Sequence, residues 1–554
     1  MRSKILLLII LSLISGSYVF AQTLPVGLLD NVEDAYRRQQ LLGKDSSNSS
    51  YMIRPMFMSD NKNFNLNNDS TFSVNQFRRL LYQNSKYKTE IYALPLVWQQ
   101  QENTHHPYGW NDGSMIQANG YQTQFSAGVF VKVGPLTIQL RPEYVYAENK
   151  YFTAYNNVEI NNQIDNPPRF GNGQYSKVSW GQSSIRLNAG PVSLGLSNEN
   201  LWWGPGTRNS LLMSNTASGF KHLTLNTTRP VKTYIGSFEA QIVSGKLEQS
   251  GIPNYGRRAI VKPKDWTYFS GLIITYQPKW VPNFYLGAER TFIVNRSNMG
   301  NSFADYFPIF KAVEKSAYTN EDGTNADDAA LRDQYISFIA RYVFPKSGAE
   351  LYFEYGRNDH SYNLRDGFVE PEHSRAYIAG FRKLVPLHKT DEFIQFGVEF
   401  TQLETPTTRY TRATPPWYIH RQVTDGYTNR GQILGAGIGT GSNLQSVDVN
   451  WVKGLKKIGL TFERLVNNND DLYGIANGAA DKSSFANRHW VDLSVAGNVA
   501  WTYKRFVLNS QLTYIRSLNY QYRWKPGLAD DDFWNWDKQD ANNFHIKVGL
   551  LYQL

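Results

Sequence analysis

Phe125-Ser-Ala-Gly-Val-Phe-Val-Lys-Val133, then Gly134-Pro135, then Leu136-Thr-Ile-Gln-Leu-Arg-Pro-Glu-Tyr-Val-Tyr146 is the stretch that decides the fold. Phe125, Ala127, Val129, Val131 and Val133 recur with period two, opposite Ser126 and Lys132, and Gln124 just upstream joins that polar face. Beyond the turn Leu136, Ile138, Leu140, Tyr144 and Tyr146 alternate with Thr137, Gln139, Arg141 and Glu143. A glycine supplies the positive φ of the first central position of a II′ turn and proline fits the second, so the stretch predicts a β-hairpin. The device returns at Gly190-Pro191, between Ile185, Leu187, Ala189 and Val192, Leu194, Leu196.

Working outward, alternating segments recur from about residue 90 to Leu554, including one at 431–452. The connections alternate short and long. Gly134-Pro135, Gly190-Pro191, 229–231, 345–348 and 503–505 are short; 100–120, 147–182, 201–219, 295–332 and 405–430 are long. Long loops on one side and short turns on the other mark an outer-membrane barrel, and counting gives about 18 strands, an even number. In the last segment Phe544, Ile546, Val548, Leu550, Tyr552 and Leu554 alternate with His545, Lys547, Gly549 and Gln553. So apolar an edge would aggregate in water, and closure against the first strand removes the hazard. A soluble propeller or multi-sandwich chain would show blade-length repeats, and none is found.

Composition agrees. The 554 residues are 41% hydrophobic and 14% aromatic, with 35 tyrosines, yet the mean hydropathy is −0.47. A barrel produces this combination because only its lipid-facing residues need be apolar. Arg2 and Lys4 precede an apolar run from Ile5 to Ile14 and then Val19-Phe20-Ala21, the pattern of a cleaved secretory signal peptide. No later run is long and apolar enough for a helical span. Zero cysteines exclude disulfides, thiolate metal sites and thiol nucleophiles.

The expected organisation is therefore a signal peptide over 1–21, an N-terminal periplasmic or plug segment over 22–88, and a closed antiparallel transmembrane β-barrel over 89–554. The N-terminal segment carries one short helix. Asp30 and Glu33 form a D-x-x-E capping box, Leu29, Val32, Tyr36 and Leu42 keep helical spacing, and Gly43 ends it.

One long loop stands apart: Ser197-Asn-Glu-Asn-Leu-Trp-Trp-Gly-Pro-Gly-Thr-Arg-Asn-Ser-Leu-Leu-Met-Ser-Asn-Thr-Ala217. Trp202 and Trp203 meet the turn formers Gly204, Pro205 and Gly206, with Glu199, Arg208, Asn209 and Asn215 alongside. Flat aromatic faces, a guanidinium and amides on a constrained backbone suit a sugar, and equally suit a loop packed into the barrel lumen. Trp534 and Trp536 offer further stacking faces, or an interfacial aromatic belt. Arg208 could pair a uronic acid carboxylate in bidentate fashion, or form a lumen ion pair with Glu199. The net charge of +10 favours an acidic glycan or an anionic leaflet.

The run Asn200-Leu-Trp-Trp-Gly-Pro-Gly206, followed by Asn209 to Ala217, resembles the central motif of the Wzi family of capsule assembly proteins. The resemblance implies an outer-membrane barrel lectin that holds capsular or related polysaccharide on the cell. It implies no cofactor and no metal. Its partners would be that polysaccharide, outer-membrane lipid and the barrel-insertion machinery, with no nucleic acid and a monomeric state.

An enzyme is a poorer fit. His105 and His106 read as surface loop, Asp530, Asp531 and Asp532 lack the D-x-D-x-D-G spacing of a calcium loop, and no G-x-S-x-G, phosphate loop or dinucleotide fingerprint occurs. The alternative that the barrel alone allows is a porin for sugars or other small solutes.

Overall fold

The computed structural model describes residues 22–27, 30–45, 47–58, 78–152, 164–253, 265–313, 331–358, 361–389, 391–477, 488–522 and 540–554. The signal segment 1–21, Leu29, Trp534, Trp536 and Asp530 to Asp532 lie outside them.

Eighteen antiparallel strands close into a barrel. The first nine are β1 (Thr89–Asn103), β2 (Gly120–Val133), β3 (Leu136–Leu140 with Glu143–Ala147), β4 (Tyr175–Ser179 with Ser184–Ala189), β5 (Val192–Ser197), β6 (Lys221–Thr227), β7 (Gly236–Leu247), β8 (Thr267–Pro278) and β9 (Phe284–Asn295). The rest are β10 (Arg332–Phe344), β11 (Ala349–Asn358), β12 (Arg375–Pro386), β13 (Glu392–Gln402), β14 (Asn443–Lys453), β15 (Lys456–Val466), β16 (Val491–Tyr503), β17 (Phe506–Leu518) and β18 (Ala541–Tyr552). Closure runs from His545 opposite Asn103 to Tyr552 opposite Leu96. Gly134 and Gly190 take φ of 56° and 55° at their tight turns, as the hairpin reading requires. Among the described residues no helix is long and apolar enough to cross a membrane.

The barrel inverts the burial of a soluble protein. Leu194, Leu196, Leu223 and Leu225 point outward and are exposed, while the neighbouring inward Ser193 and Thr224 are fully buried. Outward apolar side chains face lipid, and inward polar ones meet a filled lumen. Tyr234, Trp280 and Tyr503, on the short-turn side, are strongly exposed, the position of an interfacial aromatic girdle.

The N-terminal residues enter that lumen. Gln22–Leu24 pairs with Met56–Met58, and helix α1 (Asp30–Leu41) packs Val32 and Tyr36 near Val97, Val507 and Leu551 of the wall. Gly43, at φ 67°, ends the helix as expected. Arg341, fully buried, pairs with Glu350 at 2.5 Å and donates to Gln40 of α1 at 2.7 Å.

One expected strand is corrected. The segment 431–452 joins the barrel sheet only from Asn443; Gln432–Ile433 pairs with Thr428–Asn429 in a separate small ladder, and Ile433, Leu434, Ala436 and Ile438 pack inside the lumen with Trp417 and Tyr418. Its apolar alternation mimics a strand, but Gly435 approaches so closely that a Cβ would stand 2.2 Å from the Leu211 carbonyl.

Leu460→Arg, on the lipid face of β15, is expected to cost about 2–4 kcal/mol of folding stability in vesicles. Gln511→Lys, inward and partly exposed on β17, is expected to stay within about 0.5 kcal/mol. Urea titrations of the two variants check the assignment of faces.

Candidate functional site in the lumen

The tryptophan stretch leaves β5, turns into the barrel and is held from three sides. Trp202 and Trp203 pair as a short strand with Arg54 and Ile53. The Gly204 and Gly206 carbonyls accept from Arg54 at 3.0 and 3.2 Å, and the Pro205 carbonyl accepts from Arg37 at 2.7 Å. Beyond the turn the backbone wraps a carboxylate of β13: the N–H groups of Thr207, Arg208 and Asn209 donate to Glu399 at 2.6, 3.0 and 2.9 Å. The Leu211 N–H then donates to Glu354 of β11 at 3.1 Å. Charged acceptors for several adjacent amides make strong hydrogen bonds inside a barrel that excludes water from this side.

This geometry separates the predicted residues. Trp203 is fully buried, donates to Gln241 at 2.8 Å and packs in the lumen core with Leu211, Leu212 and Met213. Glu199 is fully buried, paired with Arg186 at 2.6 Å, and accepts from Thr23. It does not reach Arg208. Asn209 is buried and donates to Thr401 at 3.1 Å. None of these three offers a face to a ligand. Gly206 is required where it stands, because a Cβ there would meet the Asn209 carbonyl at 1.9 Å.

Trp202, Arg208 and Asn215 instead border a cavity of about 400 Å³ between the loop and the wall of β14 to β18 and β1. Trp110, on the β1–β2 connection, completes it. The Arg208 guanidinium lies 5.3 Å from the Trp110 ring centroid and pairs with Glu463 of β15 at 2.6 Å. Burial works against the charge on Arg208, but Glu463 outweighs it and holds the pKa above the usual arginine value. The Trp110 indole N–H donates to the Arg208 carbonyl at 3.3 Å, so the ring and the guanidinium are fixed together. Lys547 of β18, paired with Asp112 at 2.6 Å, and the amides of Gln99, Asn498 and Gln511 line the remainder. Trp202 is 4% exposed and lies under the Arg54 guanidinium, 4.8 Å from its centroid, so only an edge faces the cavity.

Sequence reading missed Trp110 and Lys547. The Tyr108-Gly-Trp-Asn-Asp-Gly113 run has the same aromatic and turn character as the tryptophan stretch, and could have flagged the first. Lys547 reads only as one polar position of the last strand. His105 is exposed, whereas His106 is buried against Tyr520 at 4.3 Å, so the second histidine departs from the surface-loop reading. Among the described residues no group of His, Asp or Glu could hold a metal.

Cations and amides converge on one polar cavity bordered by two buried indoles, an arrangement that can orient an anionic, hydroxyl-rich ligand by charge and hydrogen bonds. A family model described as capsule assembly protein Wzi matches residues 99–518. Wzi of Escherichia coli, an outer-membrane protein involved in group 1 capsule assembly and described as a carbohydrate-binding β-barrel, aligns with a TM-score of 0.52 at 13% identity, covering 83% of this chain and 84% of that one. OpdQ of Pseudomonas aeruginosa aligns at 0.39 and 9% identity over 83% and 97%, and OprD of the same organism at 0.39 and 7% over 84% and 95%. No curated protein sequence matches the chain.

Trp203→Ala is expected to remove about 3–5 kcal/mol from the packing of the loop. Gly206→Ala is expected to displace it through the Asn209 carbonyl. Hydrogen exchange at the 207–211 amides reads both. Amides that stay as protected as in the parent protein would place the hold on this loop elsewhere.

Proposed function

This chain belongs to the Wzi family of capsule assembly proteins, and we propose that it binds exported acidic polysaccharide and keeps it at the surface of the outer membrane. The observation that carries the reading is the Trp110–Arg208 pair, fixed at the edge of an amide-lined cavity. Trp110 is buried beneath Arg208 and holds that guanidinium at the cavity edge, while the amides exchange water for ring hydroxyls. Arg208 and Lys547 suit carboxylates of uronic acids, since guanidinium recognition of a carboxylate is bidentate and charge-assisted. The carbohydrate binding described for the Escherichia coli barrel supports the same reading. Such a protein works as a monomer set in outer-membrane lipid by the barrel-insertion machinery, after removal of residues 1–21, and needs shape and charge but no turnover.

A test has to leave Trp203 in place, because its loss would collapse the loop. Trp110→Ala and Arg208→Ala are each expected to weaken binding of purified acidic capsular polysaccharide about tenfold, equivalent to about 1.4 kcal/mol. A neutral glucan should bind poorly to parent and variants alike. Calorimetry on the barrel in detergent measures affinity, and the amount of glycan shed by cells measures retention. Unaltered affinity in both variants, with the barrel folded, would move the contact to the outer loops.

A further inference from the structure

The outward face of β6 to β10 departs from the apolar lipid face at its long-loop end. One cross-strand row there carries Lys221, Lys246, Tyr268, Val294 and Arg332, one residue from each strand in turn. The row below it is Leu223, Ser244, Ser270, Phe292 and Gln334. Ser270, Phe292 and Gln334 are buried although they point away from the lumen. What covers them is the connection that follows β9.

That connection folds back on the outer wall. Its residues Phe303–Tyr306 form helix α2, with the Ser302 N–H donating to Asp305 at 3.0 Å, and Pro308–Phe310 form a single 3-10 turn. The Arg290 guanidinium, outward on β9, donates to the carbonyls of Ile309 at 3.3 Å, of Ala312 at 2.9 Å and of Lys311, and to Gln334 at 2.7 Å. Tyr268 donates to the Tyr306 carbonyl at 2.7 Å, and Met299 packs with Tyr268 and Val294. Irregular backbone tolerates lipid only with its carbonyls satisfied, and Arg290 satisfies three. The other side of the segment presents Phe303 and Phe310, 70% and 58% exposed and joined through the Phe307 ring. An aromatic shelf therefore stands on β9 with its polar side turned to the wall.

Two strands along, Lys221 and Lys246 lie directly opposite each other, a register in which like charges repel. Neither forms an ion pair among the described residues; the nearby Glu248 is held by Arg430 at 2.7 Å. The Lys246 ammonium lies 5.4 Å from the Trp266 ring centroid. Lys246 stands eight residues beyond Phe238, which is near the short-turn end of β7. At about 3.3 Å per residue and a tilt of about 40°, that is roughly 20 Å higher, at the outer edge of an apolar band about 25 Å tall. Below Lys221, on the same face, Leu223 and Leu225 are exposed.

We propose that this face binds an anionic, multiply acylated glycolipid of the outer leaflet. A phosphate bridges Lys221 and Lys246 through charge-assisted hydrogen bonds and relieves their repulsion. The acyl chains run down Leu223, Leu225 and Ile242, and the aromatic shelf bounds them on the β9 side. From β6 to the shelf is three strand spacings, about 14 Å, wide enough for more chains side by side than the two of a phospholipid. The polysaccharide cavity lies on the other side of the wall, so the two sites are separate.

Native mass spectrometry of the full-length barrel, released from detergent in the presence of bisphosphorylated, hexa-acylated lipid A, counts the lipids retained. The parent protein should keep a single lipid. Lys221→Gln with Lys246→Gln should weaken retention about thirtyfold, the effect of two lysines at an anionic membrane surface. Lipid A stripped of its phosphates should bind the parent as weakly as it binds that variant. Phe303→Ser with Phe310→Ser should weaken lipid A with the lysines intact. Equal retention by the parent and the lysine variant, both with the heat-modifiable mobility of a folded barrel, would overturn the proposal. So would phosphatidylglycerol held as tightly as lipid A, or displacement of lipid A by millimolar inorganic phosphate. A dimer in the parent spectra that the phenylalanine variant abolishes would give the face to a second copy of the chain, and would overturn it too. Polysaccharide affinity should be the same in both variants as in the parent, where its value tests the earlier reading alone.

Discussion

Everything in this molecule depends on the pairing of β18 with β1. In hydrocarbon there is no water to take up a free N–H or C=O, and each unsatisfied group costs several kcal/mol, so a sheet in lipid must close on itself. The pairing from His545 with Asn103 to Tyr552 with Leu96 does this with strands from the two ends of the barrel sequence. Closure also fixes which alternate residues face inward, and so which polar side chains can hold anything in the lumen.

Inside, the same requirement recurs in another form. Loops that fold inward carry irregular backbone into a space with little water, and their amides need partners. The barrel supplies them as carboxylates. Glu399 takes three consecutive N–H groups of the tryptophan loop and Glu354 takes a fourth, while Arg54 and Arg37 donate to the carbonyls of its Gly204-Pro205-Gly206 turn. The sequence of that loop follows from this role. The glycine at 206 stands where a Cβ has no room, and Trp203 fills the core that the loop closes over. A motif made of residues suited to sugar is in large part a motif for packing backbone against buried charge.

The barrel was legible because alternation reports two faces. Phe125 to Val133 and Phe544 to Leu554 could be read residue by residue, and Gly134 and Gly190 named their own turns. Alternation says nothing of a residue packed on every side, so the lumen contents were opaque. Residues 431–442 alternate and yet belong to the lumen core, where Gly435 lies against the Leu211 carbonyl. Around the tryptophan stretch, residue type pointed to six candidates, but which of them reach open space depends on partners far away in the sequence. Glu199 meets Thr23 and Arg186, and Asn209 meets Thr401. Arg208 meets Glu463 and Trp110, and that pairing leaves it at a cavity edge.

The ion pairs divide the lumen into a fully buried part and a partly solvated part. Arg341 with Glu350 and Arg186 with Glu199 are essentially without exposure, and removing one partner of such a pair costs about 3–5 kcal/mol because the other charge is left buried. The first joins β10 to β11 and holds Gln40 of the N-terminal segment, and the second ties the tryptophan loop to β4. Arg208 with Glu463 and Lys547 with Asp112 bind loops to β15 and β18, and each keeps a cation in partial contact with water. Water can re-solvate those cations when the pair opens, although Glu463 itself is buried. A negatively charged ligand entering beside β15 or β18 would compete with Glu463 or Asp112 for cations already half solvated. One entering beside β10 would have to compete with Glu350, which is buried and shared among Arg37, Arg341 and Arg382. The ion pairs that keep a cation in contact with water therefore lie along β15 and β18, and the fully buried ones lie along β4, β10 and β11.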